Sequence, residues 1–448
     1  VGVVGTFHKT IAAAALAVAA QGLSVTGAQA VPAFAVQTGQ PCQACHVGGF
    51  GPQLTPFGRN FKLNGYTSRS GGFTIPVSAM VVSSYARTSK DQEPGMPPSG
   101  YGANDNFGLD QASIFLAGGI GHFGGFVQTT YDGVAKAWHW DNLDVRAVTK
   151  ATIKGIEAVF GLSFNNAPTV QDVFNTLPAW GFPYTTSTVV PSPGASPILG
   201  AFAQNTLGIT GYAWLDNQVY LEVGGYQSPG AGFLTHAGAD PTSPGAIKGT
   251  APYARIAWQK TWPDRNFEIG AFLMDVDIYP GLDMTTGTTD HFNDVGVDAS
   301  YQLFASHNNV VTVNARYTHE HQDLRASQLL GAAANVRQTL EDLRFDASYY
   351  WHNQVGLTVG AFDTWGSTDP VLYGGVPAPK PNSTAMLVQL DGTPWGAGHS
   401  PLGPRFNIRV GIQYTHYFSF DGAATNYDGA GRNASDNNAF RLFTWVAY

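Results

Sequence analysis

From about Ile75 to Tyr448, apolar and polar residues alternate in segments of roughly ten, separated by stretches rich in Gly, Pro, Asn, Asp and Ser. A period of two marks strands that are apolar on one face only, because successive side chains point to opposite sides of a sheet. The pattern predicts sixteen strands. The first eight lie near 75–88, 107–118, 123–133, 140–150, 155–165, 205–215, 218–228 and 250–262. The second eight lie near 266–278, 291–305, 309–320, 338–351, 354–366, 383–393, 405–419 and 438–448.

The faces can be read residue by residue. In 311–318, Val311, Val313, Ala315 and Tyr317 form the apolar face, and Thr312, Asn314, Arg316 and Thr318 the polar one. Leu343, Phe345, Ala347, Tyr349 and Trp351 alternate with Asp342, Arg344, Asp346 and Ser348. Ile408, Val410, Ile412 and Tyr414 alternate with Asn407, Arg409, Gln413 and Thr415. A slip by one residue would place arginines in hydrocarbon at about 2–4 kcal/mol each near the midplane, which fixes which face of each strand points outward.

The connections alternate as well. After even-numbered strands they are mostly short, as at Asp216-Asn217 and His352–Gln354; after odd-numbered ones they are mostly long, as at 166–204 and 229–249. Short turns on one side and long loops on the other predict an all-β fold, a 16-stranded antiparallel transmembrane β-barrel. No run beyond residue 30 approaches the ~18 apolar residues of a spanning helix. Charged residues are only 12%, and a net charge of -8 gives no support to nucleic-acid binding. The last strand ends on aromatics, Phe443, Trp445 and Tyr448. It resembles the terminal strand that serves bacterial outer-membrane proteins as an assembly signal.

Residues 1–30 read as a signal peptide: His8-Lys9, an alanine-rich apolar stretch over Thr10–Ala20, and a small-x-small cleavage site at Ala28-Gln29-Ala30. Then comes Cys42-Gln43-Ala44-Cys45-His46, which holds the only two cysteines of 448 residues. C-x-x-C-H is the pattern of c-type haem attachment: two thiols add across two vinyl groups, and the next histidine reaches the iron. With no further thiol, a disulfide elsewhere and a four-thiolate site are both excluded. Thr55–Gly65 reads as a short helix, with Thr55 as N-cap, Pro56 at the first helical position and Gly65 past the end. Phe57 and Phe61, with Leu54 and Leu63, are expected to cover the haem. About forty residues cannot build a core alone, so this cytochrome segment, 31–73, must borrow apolar partners from the barrel, 74–448.

A sixth haem ligand is not fixed by the sequence. Met80 and Met274 fall on the lumen phase of their strands, and His122 in a predicted short turn. Lumen charges, among them Asp144, Arg146, Glu157, Asp298 and Arg316, are expected to pair with one another. Asp275, Asp277, Asp283, Asp290 and His291 cluster near a long-loop rim and suit a transient ferrous-ion site.

Gln37-Thr38-Gly39, Cys42–His46, Pro52-Gln53-Leu54, Phe57-Gly58-Arg59 and Phe61–Tyr66 together resemble the fused monohaem cytochrome–porins of the outer membrane. The resemblance covers about 35 residues, and the rest agrees in architecture. It implies one covalent haem c held by Cys42, Cys45 and His46, with His46 on the iron. It also implies oxidation of extracellular Fe(II), and delivery of the electron to a periplasmic cytochrome c or cupredoxin. The haem segment would lie at the periplasmic mouth or inside the lumen, in a wall set in outer-membrane lipid. The alternatives are a porin-like diffusion channel with a structural haem, and a conduit for another donor or acceptor.

Overall fold

The alternation closes into a ring. A computed structural model describes residues 31–72, 76–374, 376–398 and 400–448, with the backbone alone at 307. The leader expected at 1–30, and the boundary expected at 73–74, fall wholly or partly outside the described residues. Sixteen long antiparallel strands form the wall: β1 (Val77–Thr88), β2 (Asn106–Ile120), β3 (Phe123–Asp132), β4 (Ala137–Ile153), β5 (Ile156–Asn165), β6 (Leu207–Leu215), β7 (Val219–Gln227), β9 (Ala251–Thr261), β10 (Arg265–Pro280), β11 (Asp290–Ala305), β12 (Asn309–Asp323), β13 (Arg337–Trp351), β14 (Val355–Gly366), β15 (Ser383–Gly392), β16 (Asn407–Ser419) and β17 (Ala439–Ala447). A three-residue strand, β8 (Gly245–Ile247), pairs with the end of β10. β1 pairs with both β2 and β17, so no edge is left open.

All sixteen predicted strands are present, and their faces are as read. Leu343, Phe345, Tyr349 and Trp351 of β13 face outward and are exposed, whereas Asp342 and Asp346 are buried inside. Thr312, Asn314 and Arg316 of β12, and Arg409 of β16, are likewise inward and buried. The outer belt of Val, Ile, Leu and Phe is the surface a barrel offers to lipid tails. Among the described residues no helix is long and apolar enough to cross a membrane.

One end of the barrel carries the short turns, such as Gly121-His122 and Lys154-Gly155, together with the longer 393–406 connection. Asp216 and Asn217 in the β6–β7 turn, and His352 and Asn353 in the β13–β14 turn, adopt positive φ (50°, 54°, 51° and 57°). These are the left-handed pairs that match the twist of two-residue hairpins.

The lumen is filled. The 31–72 segment enters at the short-turn end and forms α1 (Pro32–Thr38), α2 (Cys42–Cys45) and α3 (Pro56–Leu63). From the other end the 166–206 connection folds inward rather than standing out as a loop. Val170, Phe174, Leu177 and Phe202 are fully buried. This stretch has one charged residue in 41, Asp172, a composition suited to burial.

Candidate haem-attachment site

α3 begins as its sequence predicts. Thr55 Oγ1 accepts the Gly58 N–H at 3.2 Å, Pro56 occupies the first turn, and Gly65 follows the end with φ 64°. Thr55 Oγ1 also donates to Ala44 O at 2.6 Å, and the Thr55 N–H donates to Cys45 O at 2.8 Å. α3 is thereby tied to the C-x-x-C turn. Gly58 makes the approach possible: a Cβ there would lie 2.3 Å from Cys45 O.

The segment is bonded round nearly the whole wall. Arg409 of β16 donates to Gly48 O at 2.9 Å and to Phe50 O. Gln53 donates to Thr312 of β12 at 2.7 Å, and Gln302 of β11 to Leu54 O at 2.9 Å. Tyr212 of β6 donates to Leu63 O at 2.7 Å, and Tyr66 to Asp144 of β4 at 2.6 Å. Gln37 accepts the Gly119 N–H of β2 at 2.8 Å. The inward 166–206 stretch closes the stack from above: Asn175 accepts the Leu54 N–H at 2.7 Å and donates to Pro52 O at 2.9 Å. Lys62 donates to Val170 O at 2.7 Å and lies 4.4 Å over the Trp180 ring.

Within this frame Cys42 and Cys45 are unbridged thiols, and both are half-buried. Burial raises both thiol pKa values, that of Cys45 to about 12. A redox dithiol or a zinc thiolate needs the opposite shift. Burial, reinforced by the Arg409 guanidinium and opposed by a backbone hydrogen bond at Gly51, lowers His46 to about 4, so its imidazole is neutral. Its Nδ1 is buried with no hydrogen-bond partner, a costly condition unless something binds the ring. Two thiols on one turn, and beside them a neutral imidazole whose buried Nδ1 has no partner, fit a covalent haem.

The expected covering residues divide. Phe61 is buried in a cluster with Tyr66, Phe126 and Trp445. Phe57 is 47% exposed, although Gly58 and Arg59 of the same turn are buried. Leu63 packs in a separate cluster with Val148 and Tyr212. Met80 shares the Phe61 cluster, against which Cys42 also packs, but is itself only 1% exposed. Met274 lies on β10, halfway round the ring, among Leu177, Tyr226 and Tyr253. His122 Nδ1 is bonded to Val148 O at 3.0 Å in its turn.

The five acidic-rim residues do not converge. Asp275 and Asp277 flank His291 at 3.5 and 3.2 Å on the outer face, pointing away from the lumen. Asp290 points inward to Ser327, and Asp283 is bonded to Thr285 in its own loop. The lumen charges pair as expected: Asp342 with Arg316 and Arg344 at 3.1 and 2.8 Å, Asp298 with Arg255 at 2.8 Å, and Asp144 with Arg146 at 2.9 Å. Glu157 is an exception, lying exposed at the short-turn rim. The sequence reading missed Arg59, Asp172 and Asn175, which bind segment, inward stretch and wall together. For Asp172 and Asn175 the one signal is polarity inside an otherwise uncharged stretch; Arg59 stands in a motif with no role assigned to it.

No family model matches the chain, and no curated protein is similar to it in sequence. Among solved structures it is similar to OmpF of Salmonella typhi in complex with daunomycin, at 10% identity over 83% of this chain and 97% of that one, TM-score 0.47. It is similar also to the anion-selective porin of Comamonas acidovorans, at 11% identity over 83% and 98%, TM-score 0.45. In vitro folded OmpT of Vibrio cholerae is a third, at 10% identity over 84% and 98%, TM-score 0.44.

Proposed function

We propose that this chain is a bacterial outer-membrane electron-transfer protein carrying one covalent haem c. Its short-turn end faces the periplasm. Extracellular Fe(II) is the donor, and a periplasmic cytochrome c or cupredoxin the acceptor. The reading rests on one observation: the C-x-x-C-H turn is fastened inside a filled barrel at the end opposite the long loops. Cys42 and Cys45 would hold the haem and His46 its iron. When bound, the haem supplies a one-electron couple, which needs no general acid, base or nucleophile from the protein.

The chain's own residues keep the site rigid and the wall closed. Arg59, Arg409 and Tyr66 pin the segment, and Thr55 with Gly58 sets α3 against the haem turn. A resemblance to the cytochrome–porins in 35 residues supports Fe(II) as the donor. The test mixes Fe(II) with the oxidised protein in lipid vesicles that enclose an oxidised carrier. Fe(II)-dependent reduction of the enclosed carrier is expected, and none in the Cys42→Ser/Cys45→Ser variant. Equal rates in the two would refute the reading.

A second reading, a polar-solute diffusion channel, is favoured by the charged lumen. Asn314, Arg316, Asp342, Arg344 and Asp346 line a cavity of about 110 Å³ between the inward stretch and the wall. Single-channel conductance of porin size in planar bilayers would establish the channel instead.

A further inference from the structure

Charge is unevenly divided between the two ends of the barrel. Residues 31–72 contain no Asp or Glu, and neither does the 393–406 connection that approaches Cys42 through Pro404 O at 3.9 Å. Around the same mouth stand Arg69, Lys150, Lys154, Lys260, Arg265 and Arg405, against Glu157, Asp216 and Asp264. Of these, Arg265 and Asp264 bond each other at 3.0 Å. Six basic against three acidic side chains make this rim positive, in a chain whose net charge is -8. The loops at the other end lean the opposite way, with Asp91, Glu93, Asp105, Asp428 and Asp436 among their carboxylates.

The basic rim surrounds an apolar centre. Phe57 is 47% exposed beside the half-buried cysteines, and Leu402 of the neighbouring connection is 64% exposed. A cleft of about 370 Å³ beside α3, lined by Pro56, Asn60 and Lys260, adds relief to the same surface. An apolar spot ringed by like charges is how a transient protein partner is steered and then seated: the charges raise the encounter rate, and the centre excludes water.

We propose that this end of the barrel is a docking surface for a small acidic redox protein, with Phe57 at its centre and Lys150, Lys154, Lys260 and Arg69 on its rim. The proposal rests on the electron-transfer reading for its purpose, but the surface can be tested apart from it. Lys154 and Lys260 sit outside the haem turn and take no part in fastening the segment.

The full-length haem protein, in nanodiscs of neutral lipid and reduced with ascorbate, is mixed by stopped flow with an oxidised acidic cupredoxin and, separately, with an oxidised basic cytochrome c. The acidic carrier is expected to oxidise the haem faster, and to slow roughly tenfold as the salt concentration is raised, since rim charges are screened beyond ~10 Å at 0.1 M. Lys154→Glu/Lys260→Glu should remove most of that advantage while the heat-modifiable gel shift of the closed barrel is unchanged. A rate independent of salt, or a preference for the basic carrier, would overturn the proposal. An effect of the double variant seen only in anionic-lipid discs would assign these lysines to lipid headgroups and overturn it too. Binding of the acidic cupredoxin to the haem-free Cys42→Ser/Cys45→Ser protein, read by thermophoresis, separates the two ideas. Salt-sensitive binding there upholds the surface even if the wild type proves colourless, and its absence rejects the surface even if the haem is present.

Discussion

Arg59 ties the 31–72 segment to the wall and to the inward stretch at once. Its guanidinium donates to Gln259 at 3.1 Å, Asn266 at 2.8 Å, Ser300 at 3.0 Å and Phe174 O at 3.2 Å, joining α3 to β9, β10, β11 and the inward stretch. Glu268 and Asp172 lie near enough to favour its charge. A hydrogen bond to a charged group is worth about 1.5–3 kcal/mol, but four such bonds do not sum, because alanine also removes the cost of keeping a guanidinium out of water. Breaking a buried charged network costs about 3–5 kcal/mol. Asn266 keeps a partner in Thr261 at 2.7 Å, so the lower end applies. Arg59→Ala should therefore raise local opening of α3 by about 3 kcal/mol, roughly 150-fold in population. Hydrogen exchange of residues 55–66 in the folded, detergent-solubilised protein reads this directly. The strands should keep their protection, because their ladders do not include Arg59. Unchanged exchange in 55–66, or equal loss of protection in the strands, would refute the claim that the segment is held by this network.

Gly58→Ala would set a Cβ 2.3 Å from Cys45 O, backbone that cannot yield; haem stain per polypeptide should fall severalfold, with barrel assembly by gel shift intact. Val410→Arg puts a cation on the outward face of β16 and should cost about 2–4 kcal/mol in urea unfolding from lipid, whereas a polar change at the inward Gln413 of the same strand should cost far less. Burial pushes the Asp421 carboxyl up to about 6, although it accepts the Gly194 N–H at 3.1 Å. An acid whose folded pKa is raised favours the fold while protonated, so that contribution is present below about pH 4 and is lost as pH rises to about 6. Asp421→Asn keeps the acceptor, so at pH 7 it should slow intrinsic-rate-corrected exchange at Gly194 roughly tenfold, the full shift being discounted for partial exposure. The benefit should vanish at pH 4.

The wall was legible because each strand separates two media. Tyr349 must face lipid and Ser348 the interior, and that demand writes a period of two into every segment. The turns were legible for a similar local reason, as at Asn217 and Asn353. That the 31–72 segment would reach the mouth or lumen was legible from its size, but the inward fold of 166–206 and the contacts that fill the lumen were not, because a polar inward residue looks the same whether it meets water or protein. Thr312 reads as a pore-lining residue, and only its bond to Gln53 makes it a support for the 31–72 segment. The 166–206 stretch carried one quiet sign, its near absence of charge. The roles given to Cys42, Cys45 and His46 rest on their spacing, and Phe57 and Phe61 were not separable, since a shared helical face does not say which of its residues is covered.

The central claim is a single porphyrin bound through Cys42 and Cys45. It is tested most directly by intact mass together with an alkaline pyridine haemochrome spectrum, on protein expressed in a host competent for cytochrome c maturation. The account predicts one haem per chain, lost when either cysteine is changed to serine. A colourless chain with two alkylatable thiols would contradict it.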